Sequence, residues 1–192
     1  MSKFELRRTE QFGGQGGGGF LSFKGRDTAH LRFLYNSKED VEGYSVHEVT
    51  LNGKKRYVDC LCSGDGNKDK CPFCKARMWS QVKFFIPVYD EDNDAVYTWE
   101  RGKTYGPKLR ELFEKHAKEE PLSATSFTVT REINAEGYAY YTIEPEFTDG
   151  ATVEEFPDFN RNVYGKLILL KTAEEMECYL KYGDFYDKGL AS

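Results

Sequence analysis

Several short runs of alternating apolar and polar residues, one Asn-Gly hairpin signal and a single strong helical repeat predict a mainly β fold with minor α content. Strands of that number and length suit an OB-like barrel with a metal-binding loop inserted after a β-hairpin, plus one central helix and a C-terminal helix. The 192 residues are enough for one domain with a real core. Residues 1–19 read as a flexible arm, 20–148 as the barrel core with a metal subdomain at about 44–80, and 149–192 as a C-terminal extension with a helix.

The arm places Arg7 and Arg8 before a glycine-rich run from Gly13 to Gly19, a linker of maximal backbone freedom. Gly14, Gly16 and Gly19 spell a dinucleotide fingerprint. That motif must follow a strand and open a helix, however, and here a polar arm precedes it and a strand-like segment follows. Strands are expected at 20–24, 29–35, 44–51 and 55–60, the last two joined by Asn52-Gly53, where both residues tolerate positive φ. A second pair, 82–89 and 95–101, flanks the acidic turn 90–94, with Pro87 at an edge or a bulge. Pro107 suits a first helical position, and Leu109, Leu112, Phe113 and His116 share one helical face. Strands at 126–132 and 138–144 follow, then an acidic, loop-like stretch beyond Pro145. Thr172 and Glu175 make a capping box for the last helix, which carries Cys178 as a packed thiol.

Four of the five cysteines and one of the three histidines fall between His47 and Cys74. Sulfur and nitrogen donors crowded into a short polar segment suit a tetrahedral zinc ion, and Cys71-Pro72-Phe73-Cys74 presents two thiolates from one turn. The hairpin brings His47 towards the Cys60 end, so His47, Cys60, Cys71 and Cys74 are the first candidate set. An all-cysteine set with Cys62 replacing His47 is the alternative. Four protein ligands leave no open position, which makes a single zinc structural and argues against a zinc hydrolase. A thiol oxidoreductase wants its Cys-x-x-Cys pair at a helix N-terminus after a strand, whereas this pair follows a polar loop. The N-terminus lacks an apolar leader core, and no apolar run approaches the ~20 residues a bilayer requires. Reduced thiols in a cytosol, with no membrane partner, are therefore expected.

A net charge of −5 argues against nucleic acid only on average, because phosphate binding depends on local fields. Two segments are locally basic: Lys54-Lys55-Arg56, and the acid-free span from Arg101 to Arg110. Single strands are held by basic grooves and aromatic platforms, each stacked base contributing ~1–3 kcal/mol. With 15% aromatic residues, the chain offers Arg32, Lys54, Lys55, Arg56, Tyr57, Trp79, Lys83, Phe85, Tyr89, Trp99, Arg101, Lys103 and Tyr105 as candidate contacts. Such contacts serve DNA and RNA alike, and a zinc-ribbon adaptor binding protein or RNA is the alternative class.

The strings Phe33-Leu34-Tyr35-Asn36, Val46-His47-Glu48-Val49, Lys55-Arg56-Tyr57-Val58-Asp59-Cys60, Cys71-Pro72-Phe73-Cys74, Val88-Tyr89-Asp90 and Trp99-Glu100-Arg101-Gly102-Lys103 resemble those of bacteriophage single-stranded-DNA-binding proteins. That family is similar in layout to the helix-destabilising protein of the T-even phages, and the likeness runs from about Phe20 to Glu144. The resemblance implies an OB fold with an integral zinc site of one histidine and three cysteines, here His47, Cys60, Cys71 and Cys74, with Cys62 a bystander. It also implies a non-enzymatic coat on single-stranded DNA, acting in phage or prophage replication, recombination and repair in the bacterial host cytosol. The arm with Arg7 and Arg8 resembles basic arms that mediate self-association along DNA. The chain ends Asp187-Lys188-Gly189-Leu190-Ala191-Ser192, which departs from the strongly acidic tail that recruits replication or recombination proteins in this class.

Overall fold

The computed structural model describes residues 19–62, 68–118, 120–157 and 162–186. The arm up to residue 18, part of the polar loop before Cys71 and the chain end from Asp187 lie outside the described residues. In chain order the strands are β1 (Thr28–Phe33), β2 (Gly43–Leu51), β3 (Lys54–Asp59), β4 (Ser80–Asp90), β5 (Ala95–Gly102), β6 (Thr125–Ile133), β7 (Ala139–Thr148) and β8 (Ile168–Leu169). The helices are α1 (Pro72–Lys75), α2 (Tyr105–His116) and α3 (Ala173–Tyr182). The mainly β class with minor α content is what the chain adopts.

Described residues within Met1–Glu42 and Phe84–Arg161 form one compact unit, and those within Gly43–Lys83 and Asn162–Ser192 form another. The segment carrying the candidate metal ligands shares a unit with the C-terminal helix, and neither unit is continuous in the chain.

In the first unit β1 lies between β6 and β4, with β7 beyond β6 and β5 also paired to β4. The register sets Leu31 opposite both Asp90 and Phe127. The expected barrel does not close: among the described strands β7 pairs only with β6. Strand β7 turns Tyr141 and Ile143 towards the core while Tyr140 and Phe147 face solvent, so it ends the sheet as an edge. Alternation on β4 turns Ile86 and Val88 inward, where they meet Leu31, Phe33, Trp99 and Phe127. Helix α2 covers this layer with Leu109, Leu112 and Phe113, each worth roughly 1.5–3 kcal/mol when fully buried. Pro107 stands at the third helical position rather than the first, which is tolerated because the early helical N–H groups have no intrahelical partner. His116 lies edge-on to Phe127, a packing role.

The second unit is built on the β2–β3 hairpin, paired from Val46↔Asp59 to Leu51↔Lys54. Asn52 and Gly53 have φ of 51° and 72°, the positive pair that a tight hairpin turn requires. Strand β8 runs parallel to β3, with Tyr57 opposite Ile168. Helix α3 starts at the expected cap, where Thr172 accepts from the Glu175 N–H at 3.2 Å, and ends on left-handed Gly183. The Tyr179 hydroxyl ties that helix to the hairpin, donating to the Thr50 carbonyl at 3.2 Å.

Two local expectations change. Residues 20–24 are not a strand, and Phe20 makes only an isolated bridge to Thr98. Strand β7 continues past Pro145, because a register shift at Ser126/Phe127 lets the ladder resume on the far side of the proline.

Candidate metal centre and basic aromatic faces

Each metal-centre residue is placed by local chain geometry. His47 sits on β2 opposite Val58, and Cys60 follows β3 directly, its N–H donating to the Ser45 carbonyl at 3.0 Å. Cys71 caps the single turn α1, with Pro72 at a position that needs no N–H, and Cys74 lies on that turn. Arg77, at φ 58°, turns the chain back towards β4. The result brings His47 Nε2 within 3.4 Å of Cys71 Sγ and 3.5 Å of Cys74 Sγ, and Cys60 Sγ within 3.6 Å of Cys74 Sγ.

All four ligand atoms lie within 4.8 Å of one another, and no disulfide joins the cysteines. His47, Cys60, Cys71 and Cys74 therefore form a cluster that can hold a metal ion. Burial lowers the His47 pKa against an opposing pull from the Trp79 backbone, and burial raises the Cys60 and Cys74 thiols. A bound cation supplies the positive charge that reverses the thiol shifts, so metal uptake should release protons. His47 Nδ1 is buried without a hydrogen-bond partner of good geometry, and the Phe73 ring meets the imidazole edge-on. Cys62 is buried beside the set without belonging to it, and Cys178 is half-buried on α3, outside the cluster.

The candidate nucleic-acid contacts separate sharply. Arg32, 4% exposed, donates from Nε to Glu91 at 2.6 Å, from both terminal nitrogens to Asp149 at 2.8 Å, and to the Ser123 carbonyl at 3.1 Å. Its charge is spent inside the protein, which removes it as a phosphate contact. Trp99, 1% exposed, is core, and Phe85 is buried as well, so neither ring can stack on a base. Tyr89 is half-buried, its hydroxyl donating to Asp94 at 2.6 Å while its ring packs on Phe156.

The remaining candidates form two faces, one in each unit. In the second unit Lys55 and Lys83 hold their ammonium groups over the Tyr57 ring at 5.4 and 5.2 Å. Tyr57 itself is buried beneath them. Lys55 also pairs with Glu48, to which Gln81 donates. Trp79 is 83% exposed, Lys54 is exposed and Arg56 half-buried. The 43–83 segment carries eight basic and four acidic residues, against the sign of the whole chain.

In the first unit the Arg101 guanidinium lies 4.2 Å from the Tyr141 ring centre, 4.5 Å from Trp99 and 5.3 Å from Tyr105. Lys108 stands over Tyr105 at 5.0 Å and donates to the Tyr141 carbonyl at 3.3 Å. Among the described residues neither cation forms a salt bridge, although Lys108 is close enough to Glu111 to help lower that carboxyl's pKa. Arg101 Nε, Trp99 Nε1 and the Tyr105 hydroxyl are all buried without a hydrogen bond, and burial pushes the Tyr105 hydroxyl up to about 12, which keeps it a donor. Lys103 is exposed nearby in sequence. Sequence reasoning counted Lys108 in the basic span from Arg101 to Arg110 without naming it a contact, and it missed Tyr141. The signals were present: Lys108 is three residues beyond Tyr105 on a helix, and Tyr141 shares the inward period of Ile143.

Neither a scan against protein-family models nor a search of curated proteins returns a match to this chain.

Proposed function

We propose that the protein binds single-stranded DNA, largely without sequence preference and without catalysis, and that its metal is one structural zinc ion. The observation that carries this reading is the Arg101–Lys108 face: two half-buried cations laid on aromatic rings, neither held in a salt bridge among the described residues. Cations that stand outside any salt bridge favour a ligand that supplies oxygen acceptors. Phosphate oxygens do so, and the exposed Trp79 ring offers a stacking platform that accepts any base.

Zinc fits the donor chemistry and the spacing. Tetrahedral bonds of about 2.3 Å to sulfur and about 2.0 Å to nitrogen put ligand atoms roughly 3.5–3.8 Å apart. The separations of 3.4, 3.5 and 3.6 Å match. When bound, the ion would cross-link β2, the end of β3 and α1, and it would hold the hairpin that presents Lys55 and Tyr57. Phage or prophage replication and recombination is the setting this reading proposes, in a bacterial cytosol, with self-association through the arm as part of it.

Tryptophan fluorescence with oligo-dT tests the reading. Trp79 should quench on binding and Trp99 should not, so Trp79→Phe should abolish most of the signal. Affinity should fall steeply with salt. Salt-insensitive binding, or preference for duplex, would count against it. Equal titration of an RNA oligomer would shift the reading from DNA to single strands of either kind.

A further inference from the structure

A second cationic feature of the first unit lies apart from the candidates drawn from the sequence. Residues Phe23 to Arg26 make a tight turn closed by the Arg26 N–H donating to the Phe23 carbonyl at 3.2 Å, with Gly25 at φ 82° in its third position. This turn leans on the sheet, because the Arg131 N–H donates to the Asp27 carbonyl at 2.6 Å. Arg131 and Tyr141 are directly opposite each other on β6 and β7, so their side chains share a face. Between turn and strand pair lies a cavity of about 560 Å³.

Three cations line the cavity: Lys24, Arg26 and Arg131. Arg26 is neutralised by Asp90 and Asp92. Lys24 and Arg131 have no carboxylate partner among the described residues, and the one acid in the lining, Asp27, is exposed. The volume falls in the range of small-ligand sites, but the lining is polar where such sites are usually apolar. A polar cavity lined by two cations outside any described salt bridge, against one exposed acid, fits an oxyanion. The same Tyr141 ring that lines this cavity packs against the Arg101 guanidinium, so the cavity continues the Arg101–Lys108 face.

Resting on the single-strand reading, we propose that this cavity is a phosphate subsite, in which Lys24 and Arg131 hold a backbone phosphodiester of the bound strand beyond the Arg101–Lys108 contacts. Both cations act as counterion-releasing contacts, and neither reads a base.

The test is the salt dependence of oligo-dT affinity in the full chain. Each phosphate contact on a single strand contributes about 0.7 to the slope of log K against log salt. The double variant Lys24→Ala/Arg131→Ala should therefore lower the slope by about 0.7, the loss of that one phosphate contact, and each single variant by less, with thermal unfolding unchanged. Lys115→Ala is the control, since Lys115 is already paired with Glu111 at 2.5 Å and should leave the slope unaltered. An unchanged slope in the double variant overturns the proposal, as does an equal fall in the Lys115 control. Calorimetry with dTMP separates a free nucleotide from the strand: if the variants lose dTMP binding while keeping the oligonucleotide slope, the cavity is not part of the strand's path. Failure of the unaltered protein to bind oligo-dT would instead remove the single-strand reading itself.

Discussion

The two units solve the stability problem differently. The first draws on a cluster of fifteen buried residues across four strands, the segment before β1, the segment before β6 and a three-turn helix, and adds a closed ion-pair network around Arg32. The second has a cluster of eight, three of them cysteines, under a hairpin, a two-residue strand and a helix. Val46 and Ile168 are buried in this unit too, but the cluster itself centres on thiols, groups that a metal can staple together. The difference teaches where each unit is vulnerable: the first through its packing and its charges, the second through the His47–Cys74 cluster that can hold a metal ion.

Removing the metal is the harshest way to break the comparison. Chelation, or Cys71→Ser, should release amide protection in β2 and β3 while leaving β1 and β6 protected, as read by hydrogen exchange. Structural zinc sites contribute on the order of 10 kcal/mol in small domains, so this is the largest expected effect. Uniform loss of protection across both units would show that they do not divide as described.

Next in size is Arg32→Met. It strands Glu91 and Asp149 without their partner and should cost about 3 kcal/mol in urea unfolding, while oligo-dT affinity stays the same. Arg101→Met sharpens the contrast from the other side. It removes a cation that no carboxylate neutralises, so stability should change by less than about 2 kcal/mol, the scale of the lost ring contacts. Oligonucleotide affinity should drop, and with it the salt slope. Equal stability loss in the two variants would erase the distinction between a structural and a ligand-binding arginine.

The smallest effect concerns pH. His30 Nδ1 lies 2.7 Å from Asp92, and that hydrogen bond raises the His30 pKa above its ordinary value. A raised folded pKa means the contribution is complete below about 6.5 and is lost as pH rises through the folded value. Both partners are well exposed, so the contribution should stay under about 1 kcal/mol. His30→Gln should flatten the stability profile of the first unit above pH 6.5 and leave the second unit's profile untouched.

Much of the second unit was legible in the chain because its signals are local. The donor spacing, the Asn52-Gly53 turn and the Thr172–Glu175 box each declare themselves within a few residues. Arg32 and Arg101 could not be told apart that way. Both stand on strands near aromatic residues, and Arg32 too has rings beside it, Phe147 and Phe156. What separates them is a carboxylate 117 positions downstream. Trp79 and Trp99 pose the same problem: one precedes a strand and faces solvent, the other is enclosed by Phe23, Phe33 and Tyr141, which come from three distant segments. Strand β8, only two residues long, has no period to read and exists because β3 offers it an edge.

The contact between Met176 and Cys71, whose sulfurs lie 3.9 Å apart across 105 positions, has a meaning in time as well as space. On the ribosome His47, Cys60, Cys71 and Cys74 emerge long before Met176 and Phe185, the side chains that seal the pocket behind them. The donors therefore meet cellular metal and oxidants while one side of their cage is still unbuilt. Arrival of α3 ends that interval, so the order of synthesis exposes the four donors early and encloses them late.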